Sequence, residues 1–522
     1  MKKVLIVTSK KLEDTVRSLA RAPEGYEVEV WGLPVDVVAL LRPRSLASLL
    51  KREGELRGRE LSEFDFVLVS GMIPGDLSEL WDELGVKVFK GTKTLSDFKV
   101  LMENLNDLEE HLSPTEPVDE ALERYKLKEL LADLSFEYEE ALVVGALRLP
   151  MRSPPAFLAA EVLDNENVEE QLLRASEVAD MVIVGSTSTS PDPSKVKELV
   201  KLAYKYFDTV GFDSMFSSEL KAADVDLYMS LEKSKLEDFK GEKEKTFVVV
   251  PGDLSRGFWP TSAEGKVASL VENVKRAEEL GLERLLVDPV LSPFPGALES
   301  LVALREVSKK VRRPIMVGLS NFVELADFDS PGQLGALTSL AVEAGASLVM
   351  VTEHSDKCRG SWAEAKVALT MASAAKRRSS QPKDLGLNLL ILKEKRIVRE
   401  KIEARGRKLE AKDYKFPLEK TVVRIWVEGD KVKAYAEPPG VVVEGDPYLI
   451  GKTLIGEGLV KEPSHALYLG WELHKAFLAS KLEKSYVQEM PLKFESPKEK
   501  LEKVGALRRS GKRLEGKGRP QP

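Results

Sequence analysis

The sequence predicts a mixed α/β protein with a central (β/α)8 barrel, an open α/β domain before it and a small α+β module after it. The middle of the chain carries eight short apolar runs that alternate with amphipathic helical stretches, a pattern typical of such a barrel. At 522 residues the chain is too long for one ordinary core, and its length suggests about three domains. Hydrophobic residues make up 43% and charged residues 31%, proportions that fit folded domains rather than disorder.

These patterns divide the chain into consecutive segments. The predicted order is an open α/β domain over 1–110, a helical linker over 111–140, the barrel over 141–392, a charged helical linker over 393–412, an α+β module over 413–490 and a disordered basic tail over 491–522. For the tail, a solvated segment is favoured over one that contacts RNA or a protein partner.

The first domain is predicted from three apolar strands separated by helical stretches. The strands cover 2–8, 66–70 and 86–89. A turn, Gly71–Asp76, follows the second strand, and its glycines could admit a phosphate or form a plain tight turn, which is the favoured alternative. No Gly-x-Gly-x-x-Gly motif follows the first strand, so the sequence does not support a dinucleotide site.

The barrel is predicted from its strands and from the helices between them. The eight strands are Ala156–Leu163, Ala179–Gly185, Thr209–Asp213, Asp226–Ser230, Thr246–Pro251, Arg284–Asp288, Pro314–Gly318 and Ser347–Thr352. The preceding run, Ala141–Leu149, is expected to form a hairpin or strand that closes the amino end of the barrel. Ala363–Arg378 is predicted as the last barrel helix, and Leu387–Ile391 as an extra strand.

The last module is predicted from a hairpin signal and two helical patterns. Val422–Val427 and Lys431–Ala436 alternate polar and apolar residues on either side of a Glu-Gly-Asp turn. The two helices are expected near Pro447–Leu459 and Ser464–Leu482.

Composition excludes several functional classes. A net charge of -7 argues against a protein that coats nucleic acid, and the single cysteine, Cys358, excludes an intramolecular disulfide. The sequence contains no run of eighteen apolar residues, so no membrane span is expected. The apolar run at the N-terminus is too short for a signal peptide, and a cytoplasmic protein is therefore expected. Five Gln and seven Asn beside abundant Lys and Glu are a thermophile tendency.

Candidate site residues lie at the carboxyl ends of the predicted barrel strands, where barrel enzymes place their active sites. They are Ser186, Asp213, Asp288 and Asn321. Carboxylates accept paired N–H donors and an amide both donates and accepts, so the group suits a flat heterocycle with amino and lactam edges. The alternative is that each aspartate caps the next helix and that the asparagine closes a turn. With one histidine nearby and no ligand-spaced cluster, no metal site is predicted.

The loop after the eighth strand concentrates positive charge. His354, Lys357 and Arg359 fall within six positions, so they predict an anion site at the barrel mouth, with a surface charge cluster as the alternative. Cys358 lies between two cations that would lower the pKa of its thiol, although a catalytic role is not expected.

Four of these stretches resemble known pterin-binding enzymes. ADMVIVGST at Ala179–Thr187, FDS around Asp213 and VDP around Asp288 resemble motifs of dihydropteroate synthases, and GLSN ending at Asn321 is similar to a motif of pterin-dependent methyltransferases. The resemblance covers about 140–380, and the whole chain resembles an archaeal dihydropteroate synthase-related family. It implies that Asp213 and Asp288 bind the pterin, that Asn321 reaches the ring near N5 and that Ser186 lines the pocket.

The resemblance also assigns the eighth loop and shows departures. His354 matches an anion-binding histidine, with Lys357 or Arg359 supplying further charge because Thr352 stands where the synthases have an arginine. Asn321 and Phe322 replace the lysine that the synthases carry after the seventh strand.

Three functions follow from the resemblance. The first is a transferase that joins a dihydropterin pyrophosphate to an arylamine in folate or methanopterin cofactor biosynthesis, with His354, Lys357 and Arg359 at the leaving group and Mg²⁺ accompanying it. The second is a methyltransferase that uses a methyl-tetrahydropterin and a corrinoid protein as partner, because the chain has no corrinoid-binding loop of its own. The third is a non-catalytic pterin carrier, sensor or scaffold. A homodimer is left open, and neither nucleic acid nor a membrane is expected as a partner.

Overall fold

The computed structural model describes residues 1–123, 125–126, 134, 137–138, 140–165, 167–186, 190–393, 409, 411–412 and 414–492. It divides into two compact units, Met1–Ile397 and Val398–Pro522. The predicted linker over 393–412 and the predicted tail over 491–522 lie almost wholly outside the described residues, as does part of the predicted linker over 111–140.

The first unit opens with a four-stranded parallel sheet flanked by helices. Its elements are β1 (Lys2–Ser9), α1 (Glu13–Leu19), β2 (Tyr26–Leu33), α2 (Pro43–Arg57), β3 (Phe66–Val69), α3 (Trp81–Leu84), β4 (Lys87–Lys90), α4 (Leu95–Glu103) and α5 (Leu105–Leu108). The strand order is β2-β1-β3-β4, and apolar clusters cover both faces of the sheet. The predicted set of three strands is incomplete: β2, which reads YEVEVWGL, was missed because charged residues interrupt its apolar run, as an edge strand permits.

The barrel follows a hairpin of two antiparallel strands, β5 (Ala141–Val144) and β6 (Leu147–Pro150). Its first half comprises β7 (Phe157–Leu163), α6 (Val168–Ser176), β8 (Met181–Gly185), α7 (Pro193–Ala203), β9 (Val210–Asp213), α8 (Ser217–Ala222), β10 (Leu227–Leu231) and β11 (Thr246–Val249). Its second half comprises α9 (Ala263–Glu279), β12 (Arg284–Val287), α10 (Ala297–Lys310), β13 (Met316–Gly318), α11 (Ser320–Leu325), α12 (Ser330–Ala344), β14 (Leu348–Thr352) and α13 (Ser361–Arg377).

All eight predicted barrel strands are confirmed. The parallel sheet runs β12-β11-β10-β9-β8-β7-β14-β13, and a bridge between Val287 and Ile315 joins its two ends. The predicted hairpin is also confirmed: Val144 and Leu149 pack into the barrel interior, and the Ala146 amide donates to the hydroxyl of Thr209, which precedes β9, at 2.9 Å. The hairpin therefore closes the amino end of the barrel.

The extra strand predicted at Leu387–Ile391 is wrong. This segment is irregular, and Leu390, Ile391 and Leu392 are exposed. A closed barrel has no edge at which a ninth strand could pair, so the apolar pattern finds no partner here.

The second unit has an antiparallel sheet packed on two helices. Its elements are β15 (Val422–Glu428), β16 (Lys431–Glu437), β17 (Val441–Gly445), α14 (Pro447–Gly456) and α15 (Pro463–Lys481). The predicted hairpin and both helices are confirmed, while β17 was missed. Across both units, no helix of the described residues is long and apolar enough to span a membrane.

Candidate functional site

The carboxyl ends of the barrel strands carry a group of buried acids and lysines. Alternate residues of the strands, such as Ala159, Ile183 and Leu286, form an apolar inner core, while the residues between them pack against the helices. Side chains two residues apart lie on the same face of a strand. Glu161 on β7 therefore shares the inner face with Ala159, and Asp288 after β12 shares it with Leu286. On β9 the same alternation turns Asp213 inward as well.

Asp288 is the most buried of these acids. It is 6% exposed, and its Oδ1 accepts a hydrogen bond from the Val290 amide at 2.7 Å. Burial raises the pKa of its carboxyl to about 7, and the charge of Asp213 acts in the same direction. Val290 has φ of +58°, a left-handed conformation that costs a β-branched residue about 1–3 kcal/mol, so the loop holds its amide at the carboxylate under strain.

Lys266, on α9, forms hydrogen bonds to the loop after β12. Its side chain is fully buried, and its Nζ donates to the Val290 carbonyl at 2.5 Å and to Ser292 Oγ at 2.8 Å. Burial lowers the pKa of the Lys266 ammonium, whereas the charge of Asp288 raises it. The lysine thus fixes the loop after β12 and places a cation near the buried acid.

Asp213, at the end of β9, is influenced by the charge of a second lysine, Lys235. Burial raises the pKa of its carboxyl, while the charge of Lys235 and a 3.4 Å hydrogen bond from Ser230 Oγ lower it. Lys235 Nζ donates to the carbonyls of Ser214 and Ser230 at 2.9 and 3.1 Å, and burial lowers the pKa of its ammonium. Each aspartate of the mouth therefore lies within the electrostatic influence of a lysine from a neighbouring element.

Glu161 on β7 is the acid that the sequence prediction missed. Burial raises its pKa to about 7; the charges of Asp213 and Glu324 add to this, and a 3.0 Å hydrogen bond from Ser320 Oγ opposes it. The available signal was a single glutamate in the otherwise apolar strand FLAAEVL. Lys235 and Lys266 were also missed, because each lies in a helical stretch rather than at a strand end.

Asn321 joins the group from α11. Its side chain is exposed, and its Nδ2 donates to the Leu291 carbonyl in the loop after β12, at 3.4 Å. The preceding residue, Ser320, bonds Glu161. The structure thus brings Asp213, Asp288 and Asn321 to one rim, as the sequence led us to expect, and their binding roles stay a prediction.

The helix-cap alternative does not describe these aspartates. Phe216 precedes α8 and Gly296 precedes α10 at the N-cap positions, so neither Asp213 nor Asp288 caps a helix. Asp253, at the end of the fifth strand segment, does take the cap position of a short 3-10 helix. Ser186 lies after β8, and its amide is 3.4 Å from the Asp213 carbonyl.

The basic loop after β14 is exposed. His354, Lys357 and Arg359 are all solvent-accessible, and Lys357 Nζ lies 3.1 Å from Asp327 Oδ1. The 3-10 helix Asp356–Cys358 packs against α11, so the loop borders the same mouth. A lowered thiol pKa for Cys358 is wrong, because the side chain is buried and burial raises the pKa.

The first backbone amides of the turn after β3 are bonded within the protein. The amides of Gly71, Met72 and Ile73 donate to the Thr92 carbonyl, to Ser70 Oγ and to the Ser70 carbonyl. Because these donors are engaged within the protein, the plain turn is the better interpretation.

The raised pKa of Asp288 predicts a pH dependence of stability. Its pKa is about 7 in the folded chain and about 3.9 when unfolded, so the folded state holds the proton more tightly and loses stability as pH rises from about 4 to about 7. Asp288→Asn should remove this loss, at up to ~1.4 kcal/mol per pH unit. Thermal unfolding at pH 5 and pH 7.5 should show a larger gain in Tm for the variant at the higher pH. An equal gain at both values would contradict the shift.

The described residues contain no group of three or more His, Cys, Asp or Glu side chains placed to hold a metal ion. The mouth contains hydrogen-bonding acids, an amide and two lysines. It can accept paired N–H donors and can exchange a proton near neutral pH.

Comparison with known proteins finds a sequence relative and several solved structures that resemble part of the chain. No protein-family profile matches the chain. The uncharacterized protein MJ0107 of Methanocaldococcus jannaschii is 31% identical over 527 aligned positions, which cover 94% of this chain and 99% of the relative.

Among solved structures, dihydropteroate synthase of Xanthomonas albilineans in complex with indole-2-carboxylic acid and 6-chloroguanine is 18% identical, with a TM-score of 0.37, over 46% of this chain and 99% of that one. Dihydropteroate synthase of Thermus thermophilus in complex with 6HMPPP has the same identity and TM-score, over 46% and 100%. A truncated 3-deoxy-D-arabino-heptulosonate 7-phosphate synthase of Thermotoga maritima is 13% identical, with a TM-score of 0.33, over 48% and 94%.

Proposed function

The chain belongs to one family with the uncharacterized protein MJ0107 of Methanocaldococcus jannaschii, and from the geometry of its barrel mouth we propose that it is a pterin-binding transferase. One observation carries the proposal: Asp213, Asp288 and Asn321, from separate barrel segments, meet at one rim. The resemblance of the surrounding motifs to pterin enzymes supports the choice of ligand.

The pterin fits the hydrogen-bonding capacity of this rim. Its amino group and lactam N–H offer paired donors to a carboxylate, and its ring nitrogens and carbonyl accept. Asp288 and Asp213 are the acceptors, and Lys235 and Lys266 bring positive charge beside them. The synthases carry their pterin-binding lysine after the seventh strand. Lys235 and Lys266 belong to other elements, and they give this mouth buried cations of its own.

The favoured reaction joins a dihydropterin pyrophosphate to an arylamine. The arylamine nitrogen forms a bond to the methylene carbon of the pterin, the bond from that carbon to the pyrophosphate oxygen breaks, and pyrophosphate leaves with the electron pair. His354, Lys357 and Arg359 would stabilise the leaving charge from the loop after β14. A Mg²⁺ ion would accompany the pyrophosphate, because this metal is commonly held in part by the phosphates of the substrate.

Glu161 is suited to take the proton that the arylamine loses. Its pKa of about 7 lies near a neutral working pH, where a general base is most effective. The Glu161 carboxylate accepts a hydrogen bond from Ser320, the residue before Asn321. Glu161 therefore lies near the position proposed for the pterin ring.

The test is to incubate the purified protein with 6-hydroxymethyl-dihydropterin pyrophosphate and a set of arylamines. We expect release of pyrophosphate in step with formation of the coupled pterin, and neither product with the Asp288→Asn variant. Pterin binding without pyrophosphate release from any arylamine would contradict the coupling reaction and leave a methyltransferase, a carrier or a sensor.

A methyltransferase is the second candidate, and the rim of the mouth favours it. The segments that follow the third, sixth and seventh strands expose Met215, Phe294, Leu325 and Phe328. An exposed apolar rim of this kind fits a protein partner, such as one that carries a corrinoid. Demethylation of a methyl-tetrahydropterin in the presence of a corrinoid protein, with no pyrophosphate release in the first assay, would select this function.

A further inference from the structure

A crevice in the N-terminal domain is separate from the barrel mouth. It lies beyond the carboxyl ends of β1, β3 and β4 and has a volume of about 210 Å³. The strand order β2-β1-β3-β4 places it where the chain passes from one side of β1 to the other. In open α/β sheets this switch point is where small ligands bind.

One buried hydroxyl in the crevice is unsatisfied. Ser9, the last residue of β1, is 2% exposed, and within the described part of the chain its Oγ has no hydrogen-bond partner. The neighbouring hydroxyls are occupied, since Thr92 Oγ1 donates to the Thr94 carbonyl and Thr94 Oγ1 accepts from the Asp97 amide. A buried polar group without a partner lowers stability, so its place in a cavity wall points to a partner that is a ligand.

The walls and rim of the crevice define that ligand. Apolar side chains, among them Val38, Leu68 and Phe98, form the walls and suit a flat ring. Asp36, which follows β2, stands at the rim with its side chain 79% exposed, 2.7 Å from Lys11. An acid after the second strand of such a sheet can accept hydrogen bonds from the hydroxyls of a ribose.

The loop after β1 argues against a ligand that carries a pyrophosphate. Residues Lys10–Leu12 form a 3-10 helix directly after the strand, where a dinucleotide site would need a glycine-rich turn. The loop after β1 therefore offers no glycine-rich cradle for a pyrophosphate.

We propose that the N-terminal domain binds a nucleoside, with the base between the apolar walls and the ribose hydroxyls on Ser9 and Asp36. This site is independent of the pterin function, because none of its residues belongs to the barrel. A single 5′-phosphate would extend toward Lys93, which also lines the crevice.

The test is calorimetry of the full chain with adenosine, guanosine, cytidine and uridine, with their 5′-monophosphates and with inorganic phosphate. Binding of at least one nucleoside is expected. A monophosphate that binds more tightly than its nucleoside supports the placement of Lys93. Binding of none of them, or displacement of a nucleoside by inorganic phosphate alone, would overturn the proposal.

Two variants locate the ligand. Ser9→Ala should weaken nucleoside binding by about threefold to tenfold and raise the Tm of the free protein, because the unpartnered hydroxyl is removed. Asp36→Asn, at an exposed position, should weaken binding by about tenfold with little change in Tm.

The matched control is Ser373→Ala on α13, which removes another buried hydroxyl that has no partner in the described chain. It should raise the Tm and leave nucleoside affinity unchanged. Unchanged nucleoside affinity in both Ser9→Ala and Asp36→Asn would show that the nucleoside does not bind in this crevice.

Discussion

Asp288→Asn is expected to weaken the binding of a reduced pterin by at least about 100-fold. Replacing the carboxylate by an amide removes one acceptor and turns an N–H₂ toward the paired donors of the ligand. Hydrogen bonds to a charged group contribute about 1.5–3 kcal/mol each, so the loss of two corresponds to roughly this factor or more. Titration calorimetry or quenching of pterin fluorescence at pH 8, where the wild-type carboxylate is ionised, measures the effect.

The control for this variant is the same substitution at the other end of the barrel. Asp226 precedes β10, and its Oδ2 accepts from the Val210 amide and the Tyr204 hydroxyl, both at 3.0 Å. Asp226→Asn should lower the Tm and leave pterin affinity within about twofold, because the amino end of a barrel serves stability. Equal losses of pterin affinity in both variants would mean that the pterin does not bind at the mouth.

Glu161→Gln is expected to lower turnover by about 100-fold or more while pterin affinity stays within about threefold. The amide keeps the shape of the side chain and can still accept the hydrogen bond of Ser320, but it cannot take up a proton. The measurement is the kcat of whichever transferase reaction the protein catalyses, together with the dissociation constant of the pterin. A parallel loss of affinity and turnover would make Glu161 a binding residue instead.

Ser320→Ala distinguishes a proton-transfer role from a structural one. The Ser320 hydroxyl bonds the charged form of Glu161 and lowers its pKa, so its removal should raise that pKa above about 7. The rise of kcat with pH should then shift to higher pH in Ser320→Ala and be absent in Glu161→Gln. An unchanged profile in Ser320→Ala would argue against Glu161 as the base.

The sequence was sufficient for the barrel because each strand and helix repeats a local pattern. Runs such as Met181–Gly185 and Leu348–Thr352 are apolar and short, and amphipathic helices separate them. Local patterns were insufficient where a strand lies at an edge, as with β2 and β17, or where no partner edge exists, as at Leu387–Ile391. Pairing is a property of the whole sheet, so these cases depend on contacts that are distant in sequence.

The same distinction applies to the mouth of the barrel. The sequence by itself determined that Asp213, Asp288 and Asn321 lie at the carboxyl ends of strand segments of one barrel and therefore share one rim. Only the tertiary structure decided that Glu161, Lys235 and Lys266 join them, and that Glu161 and Asp288 have a pKa of about 7. Burial and the distance between charges set these properties, and both arise from residues that the closed barrel brings together across long stretches of chain.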